Sequence, residues 1–155
     1  MSVKETIKRQ YQGIVDGAAL RFSGVRTPPE GWVATVRKSL GMSGAQLARR
    51  LGVTRAAVSQ TERNEAEGGV TIRHMQTVAG ALNCRFVYAI VPEEGGIKDV
   101  ILAQAGRRAA GIVRNAGGQM ALEEQSLSDE KNKEEIARLR DDLAHYMPSD
   151  LWEEK

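Results

Sequence analysis

The sequence has 155 residues, 41% of them hydrophobic and 27% charged, a balance that excludes wholesale disorder and collagen-like structure and sets the expectation at one domain, or one small domain with appendages. Aromatic residues make up only 5%, so the core must be aliphatic and alanine-rich, which favours helices over a β-sandwich. The net charge of +2 hides an asymmetry: residues 1–63 hold 11 Lys/Arg against 4 Asp/Glu, whereas residues 119–155 hold 5 against 11.

A basic first half suggests a polyanion partner, and an acidic tail suggests a protein partner or a solvated face. The alternative is that both simply solubilise helices. The single cysteine, Cys84, excludes an intramolecular disulfide and a four-cysteine zinc site. His74 and His145 lie far apart and show no metal-ligand spacing, so no metal and no cofactor is expected. A reduced, cytoplasmic compartment fits this cysteine usage. The N-terminus is polar, unlike a signal peptide, and no stretch approaches the ~18 apolar residues of a membrane span.

In chain order, residues 4–20 predict a helix, with Ile7, Tyr11, Ile14, Val15 and Ala18 on one apolar stripe. Residues 21–31 form a connector whose Thr27-Pro28-Pro29-Glu30-Gly31 run cannot continue a helix. Short helices follow. The first runs from Trp32 to Leu40. The second is capped by Ser43 and stops at Gly52. The third is capped by Thr54 and reaches about Arg63. Residues 65–70 read as a loop. Thr71 caps a further helix, with Ile72, Met75, Val78, Ala79 and Leu82 on one face.

Residues 85–91, Arg-Phe-Val-Tyr-Ala-Ile-Val, are β-branched and aromatic and are closed by Pro92, so they predict a strand. A lone strand needs a partner. The same strand of a second copy, paired antiparallel across a two-fold axis, would supply one through Phe86, Val87, Tyr88, Ala89 and Ile90. Pairing with an N-terminal segment, or packing as extended coil, are the alternatives. Residues 97–125 predict another helix. A last one is capped by Ser128 or Asp129 and runs to about Tyr146, with Ile136, Leu139 and Leu143 as its seam.

The informative stretch is residues 42–62, MSGAQLARRLGVTRAAVSQTE. Two short helices join through Leu51-Gly52-Val53. Ala48 is small enough for the helices to cross closely, and Gly52 supplies a left-handed turn. Leu47, Leu51, Val53 and Val58 are expected to close the core. This is helix-turn-helix grammar. The pattern L-A-x-x-L-G-V-T-x-x-x-V-S-x-x-E, from Leu47 to Glu62, resembles the helix-turn-helix of the Cro and phage-repressor type, the Xre family, over residues 32–83.

That resemblance implies that the third helix enters the major groove of double-stranded DNA. Arg55, Ala56, Ser59 and Gln60 are then the base-reading candidates. Arg55 suits guanine or a phosphate, Gln60 suits adenine, and Ala56 suits a thymine methyl. Thr54 offers a hydroxyl and amides to phosphate. Ser43, Arg63, Asn64, Thr71 and Arg73 are further phosphate candidates by position. The family often places glutamine just after the second helix's cap. Gly44 stands there, which removes one contact and loosens the helix start. The family also often pairs an arginine late in the first helix with the glutamate ending the recognition helix. By position these are Arg37 and Glu62, expected as a largely buried ion pair, with two separate surface charges as the alternative.

The runs PPEGWVATVRKSLGMSGAQLARRLGV, ALNCRFVYAIVPEE, MALEEQSL and the terminal Leu151-Trp152 resemble the family called mobile mystery protein A across most of residues 25–155. Members of that family are typically encoded beside a Fic-domain protein. The resemblance implies an antitoxin and autorepressor that binds a pseudo-palindromic operator upstream of its own gene as a homodimer, with a Fic-domain partner. The [S/T]xxxE[G/N] helix of another class of Fic inhibitor does not occur in the sequence.

The expected fold is mainly α: an Xre-type core with one short β-strand after it, plus N-terminal and C-terminal helices. The expected division is an N-terminal helix and connector over 1–26, a DNA-binding domain over 27–83, and a dimerisation and partner-binding region over 84–155. No Ser-His-Asp set, P-loop or Fic motif occurs, so no enzyme is expected. A stand-alone repressor sensing a small molecule, or an adaptor with a vestigial helix-turn-helix, are the competing readings.

Overall fold

The computed structural model describes residues 1–121 and 129–153. Seven helices account for the regular structure among them: α1 (Val3–Phe22), α2 (Trp32–Ser39), α3 (Gly44–Leu51), α4 (Arg55–Ala66), α5 (Ile72–Ala81), α6 (Ile97–Ala121) and α7 (Asp129–Tyr146). The chain divides into two units, Ser23–Ala89 and Met1–Phe22 with Ile90–Lys155.

The unit of residues 23–89 holds α2 to α5. Three of its helices begin on a hydroxyl that accepts a backbone N–H and so relieves an orphaned donor. Ser43 accepts from Gln46 N at 3.1 Å, and Gln46 Oε1 accepts from Ser43 N at 2.7 Å, closing a capping box. Thr54 accepts from Ala57 N at 3.1 Å and Thr71 from His74 N at 3.0 Å. Gly44 therefore does not leave the start of α3 open. α3 ends at Gly52 with φ 69°, a left-handed conformation that glycine adopts without strain. There Val53 N donates back to Ala48 O at 3.0 Å.

Val33, Leu47, Ala48, Val58, Met75, Val78 and Leu82 form the core of this unit, with Val36, Met42, Leu51, Val70, Ala81 and Phe86 packed against it. Full burial of one such aliphatic side chain is worth about 1.5–3 kcal/mol. Two expectations shift here. Val53 does not join the core but stands 46% exposed, because the turn that recovers its N–H points its side chain outward. α4 also runs on to Ala66, so the loop expected over residues 65–70 begins two residues later.

The expected strand over residues 85–91 is absent: Phe86, Val87, Tyr88, Ala89 and Ile90 run without any ladder, and no strand occurs among the described residues. β-branched composition gives an extended backbone, but a strand exists only through its hydrogen-bonded neighbour. This segment instead spends its one useful anchor on the helical core. Phe86 is half-buried against it and stacks on Tyr88, ring centroids 5.7 Å apart. Val87, Tyr88 and Ile90 face solvent. The helix over residues 97–125 is described as far as Ala121. Residues 122–125, Ser128 and most of the MALEEQSL run lie outside the described residues.

The other unit holds α1, α6 and α7. α6 starts where Asp16 of α1 reaches across: Asp16 Oδ1 accepts from Ile97 N at 2.8 Å. A Cβ on Gly96 would lie 3.1 Å from that same carboxylate. α6 and α7 pack closely, and Gly106 admits Arg140, whose Cδ would be 3.6 Å from a Cβ there. After α7 the chain folds back onto α6. Leu151 is completely buried, as are Ala105 and Ala109. Gln104 Nε2 donates to Leu151 O at 2.8 Å, and Arg108 Nη2 donates to Asp150 Oδ2 at 2.6 Å. No helix among the described residues is long and apolar enough to cross a membrane.

Candidate nucleic-acid interface

α4 carries most of the chemistry of the 23–89 unit. Its buried anchor is Val58, and its first turn projects outward. Arg55, Ala56 and Gln60 are exposed, whereas Ser59 is half-buried. Helical geometry turns Ala56 and Gln60, each two positions from the buried Val58, to the opposite face, whereas Arg55 is exposed as the first residue of α4.

Two other helix starts are brought to α4. At α3, a Cβ on Gly44 would lie 3.9 Å from Arg55 Cγ, so the first residues of α3 and α4 are neighbours. At α5, His74 Nε2 lies 3.1 Å from Thr61 Oγ1. The predicted phosphate contacts Ser43, Thr54 and Thr71 are the N-caps of α3, α4 and α5. Each helix start carries partial positive charge and unpaired N–H groups, which favours phosphate oxygens.

The side chains of α4 are ordered by one another. Gln60 Nε2 donates to Asn64 Oδ1 at 2.7 Å, and Arg63 Nη2 donates to Gln60 Oε1 at 2.9 Å. Each bond uses one of the amide's two donors or two lone pairs. One N–H and one lone pair remain for a base edge. Arg73 stands exposed in the first turn of α5.

The back of α4 is held by carboxylates. Arg37 Nε donates to Glu62 Oε1 at 2.6 Å and Nη2 to Glu62 Oε2 at 3.2 Å, with side-chain exposures of 14% and 18%. Arg37 Nη1 also donates to Met42 O at 2.9 Å, tying the α2–α3 link to the same group. The hydrogen bond to Glu62 raises the Arg37 guanidinium above its ordinary pKa, against the opposing effect of desolvation. One turn on, Glu65 Oε2 accepts from Trp32 N at 2.5 Å and Oε1 from Val33 N at 2.9 Å. This carboxylate caps α2, whose own N-cap residue is Gly31. Motif spacing does not reach Glu65. The available signal was Gly31 itself, an N-cap without a side-chain acceptor. Arg50 was likewise outside the motif reading. Its Nε donates to Ala81 O at 2.6 Å and closes the end of α5.

The unit has nine Lys/Arg and four Asp/Glu over residues 23–89. Three of the four carboxylates are engaged inside it: Glu62 by Arg37, Glu65 by the start of α2, and Glu30 by Lys38, whose bond holds the Glu30 carboxyl below the ordinary value. The cations around α4 are therefore little neutralised by the acids nearby. Among the described residues, no three His, Cys, Asp or Glu side chains gather as a metal site.

A core of four short helices with a left-handed glycine turn between α3 and α4, and with α4 projecting its first turn, is the arrangement of a helix-turn-helix DNA-binding domain. Residues 33–88 match the family model described as helix-turn-helix, and they form a DNA-binding domain of the Xre type of transcription regulator. No curated protein and no solved structure matches the chain.

Proposed function

We propose that this chain is a sequence-specific transcriptional repressor of its own promoter, binding a pseudo-palindromic operator as a homodimer. The observation that carries the reading is the projection of Arg55, Ala56 and Gln60 from α4, beside the starts of α3 and α5. A two-fold operator would place two copies of α4 in successive major grooves, about 10 bp apart or a multiple of it. The reading assigns no catalytic step to the chain and sets it in the cytoplasm, where the DNA is.

The resemblance to mobile mystery protein A extends the proposal. The repressor is then the antitoxin of a module whose toxin is a Fic-domain protein, and the unit built from α1, α6 and α7 is the region that holds that partner. The acidic surplus of residues 119–155 supports a protein-facing role for it.

Fluorescence anisotropy on the DNA upstream of the chain's own gene, at two salt concentrations, tests the repressor. Wild type should prefer that DNA to a scrambled duplex, and the Arg55→Ala, Gln60→Ala double variant should lose the preference. Equal weak binding of wild type to both duplexes would refute it. Co-expression with the neighbouring Fic-domain protein tests the antitoxin role: growth should be restored, and a stable complex should be recovered.

A further inference from the structure

Gln60 is held by two residues of its own helix. Arg63 Nη2 donates to Gln60 Oε1 at 2.9 Å, and Gln60 Nε2 donates to Asn64 Oδ1 at 2.7 Å. Residues three and four positions on share a helix face, so both partners flank Gln60 from the C-terminal side.

The direction of this chain of bonds is fixed by chemistry. A guanidinium donates and never accepts, so Arg63 must meet the oxygen end of the Gln60 amide. The NH2 end then faces Asn64, which must present its own oxygen. A half-turn of the Gln60 amide would set donor against donor at Arg63, and no rearrangement of Asn64 relieves that. The far end is anchored as well. Asn64 is half-buried, and its backbone carbonyl accepts from Gly69 N at 2.7 Å, where the chain turns toward α5.

A held amide offers its remaining N–H and lone pair in one order. Adenine presents an acceptor, N7, beside a donor, N6–H, whereas guanine presents two acceptors at the same edge. The order therefore matters for which base is accepted. A free glutamine would also lose its side-chain freedom on binding, and here that loss falls on folding instead.

We infer that Arg63 and Asn64 are positioning residues for Gln60 and set its preference for adenine at one base pair. This goes beyond the phosphate roles that their positions suggest. It rests on the repressor reading above, in which Gln60 meets a base edge.

The test is competition anisotropy with the full-length chain on its operator and on duplexes carrying each of the other base pairs at one position at a time. Gln60→Ala identifies the position, because preference should vanish there. Asn64→Leu and Arg63→Met should each reduce the preference at that same base pair about tenfold. Neither should reduce it further in the Gln60→Ala background. Asn64→Asp keeps the accepting oxygen, so it should bind every duplex less tightly through its charge and still retain the preference. Circular dichroism melts check that the variants fold, and the two substitutions act on opposite ends of the amide, so either one decides. Variants that weaken all duplexes alike and keep the base preference would overturn the inference and leave the repressor standing. A Gln60→Ala protein that keeps every base preference would do the same. Wild type that binds operator and scrambled DNA equally would overturn both.

Discussion

The carboxylate of Glu65 occupies the space where a side chain at residue 31 would begin. A Cβ on Gly31 would lie 2.8 Å from it, and Gly31 has φ 85°. Gly31→Ala therefore meets two obstacles, a disfavoured backbone and a displaced cap. It should lower stability by about 2 kcal/mol or more. Glu65→Ala alone should cost about 1–2 kcal/mol, the size of a lost cap. The double variant should cost less than the sum, because removing Glu65 also removes the collision. Urea melts of the four proteins measure the coupling, and strict additivity would argue against this geometry.

Arg37 and Glu62 form a nearly buried pair that also holds Met42 O. Arg37→Met leaves a carboxylate with no partner in a poorly solvated place. It should cost roughly 3 kcal/mol, and Glu62→Met a similar amount. Replacing both by Met should cost markedly less than either alone, because neither charge is then stranded. Thermal or urea unfolding gives all three values.

Gly44 sits in the first turn of α3 with only Arg55 Cγ, at ordinary contact distance, near a Cβ. Gly44→Ala should raise stability by about 0.5–1 kcal/mol through reduced freedom of the unfolded chain. A loss of stability would mean that the start of α3 is more crowded than these distances show.

The two classes of DNA contact should separate by salt. Gln60→Ala should cost about 1–3 kcal/mol on the operator and relax preference at one base pair. Arg73→Ala should weaken all duplexes alike and reduce the salt slope by about 1. Binding titrations over a salt series distinguish them.

Leu151 is fully buried and Gln104 holds its carbonyl. Leu151→Ala should cost about 2–5 kcal/mol, as cavity-forming changes do. Ending the chain after Met147 should remove Leu151 together with the tail's bonds to Gln104 and Arg108, and destabilise the α6–α7 pair at least as much. Hydrogen exchange along α6 would register the change.

Most of the helical plan was legible from sequence because its signals are local. Ser43, Thr54 and Thr71 each precede an apolar period, and Gly52 marks a stop. The strand expected over residues 85–91 does not form, because Phe86 to Ile90 carry strand composition and composition does not supply a hydrogen-bonding neighbour. The α1 stripe was legible as a stripe. The exposure of Ile7, Tyr11 and Ile14 was not, since periodicity says which residues share a face and nothing about what meets it. Gly31–Glu65 and Arg50–Ala81 join residues more than thirty positions apart, and no short-range pattern encodes such a meeting.

The capping hydroxyls have one more consequence. Ser43, Thr54 and Thr71 each accept a backbone N–H through oxygen, which leaves the hydroxyl proton unassigned. That proton can be donated to a phosphate without loosening the helix beneath it. Alanine at these positions would confuse two losses, since fold and affinity fall together. Aspartate caps a helix as well as serine or threonine does, yet presents a negative charge to the duplex. Thr54→Asp and Thr71→Asp should therefore separate the two functions if these caps meet phosphates as proposed: the expected proteins melt like wild type and lose affinity for DNA.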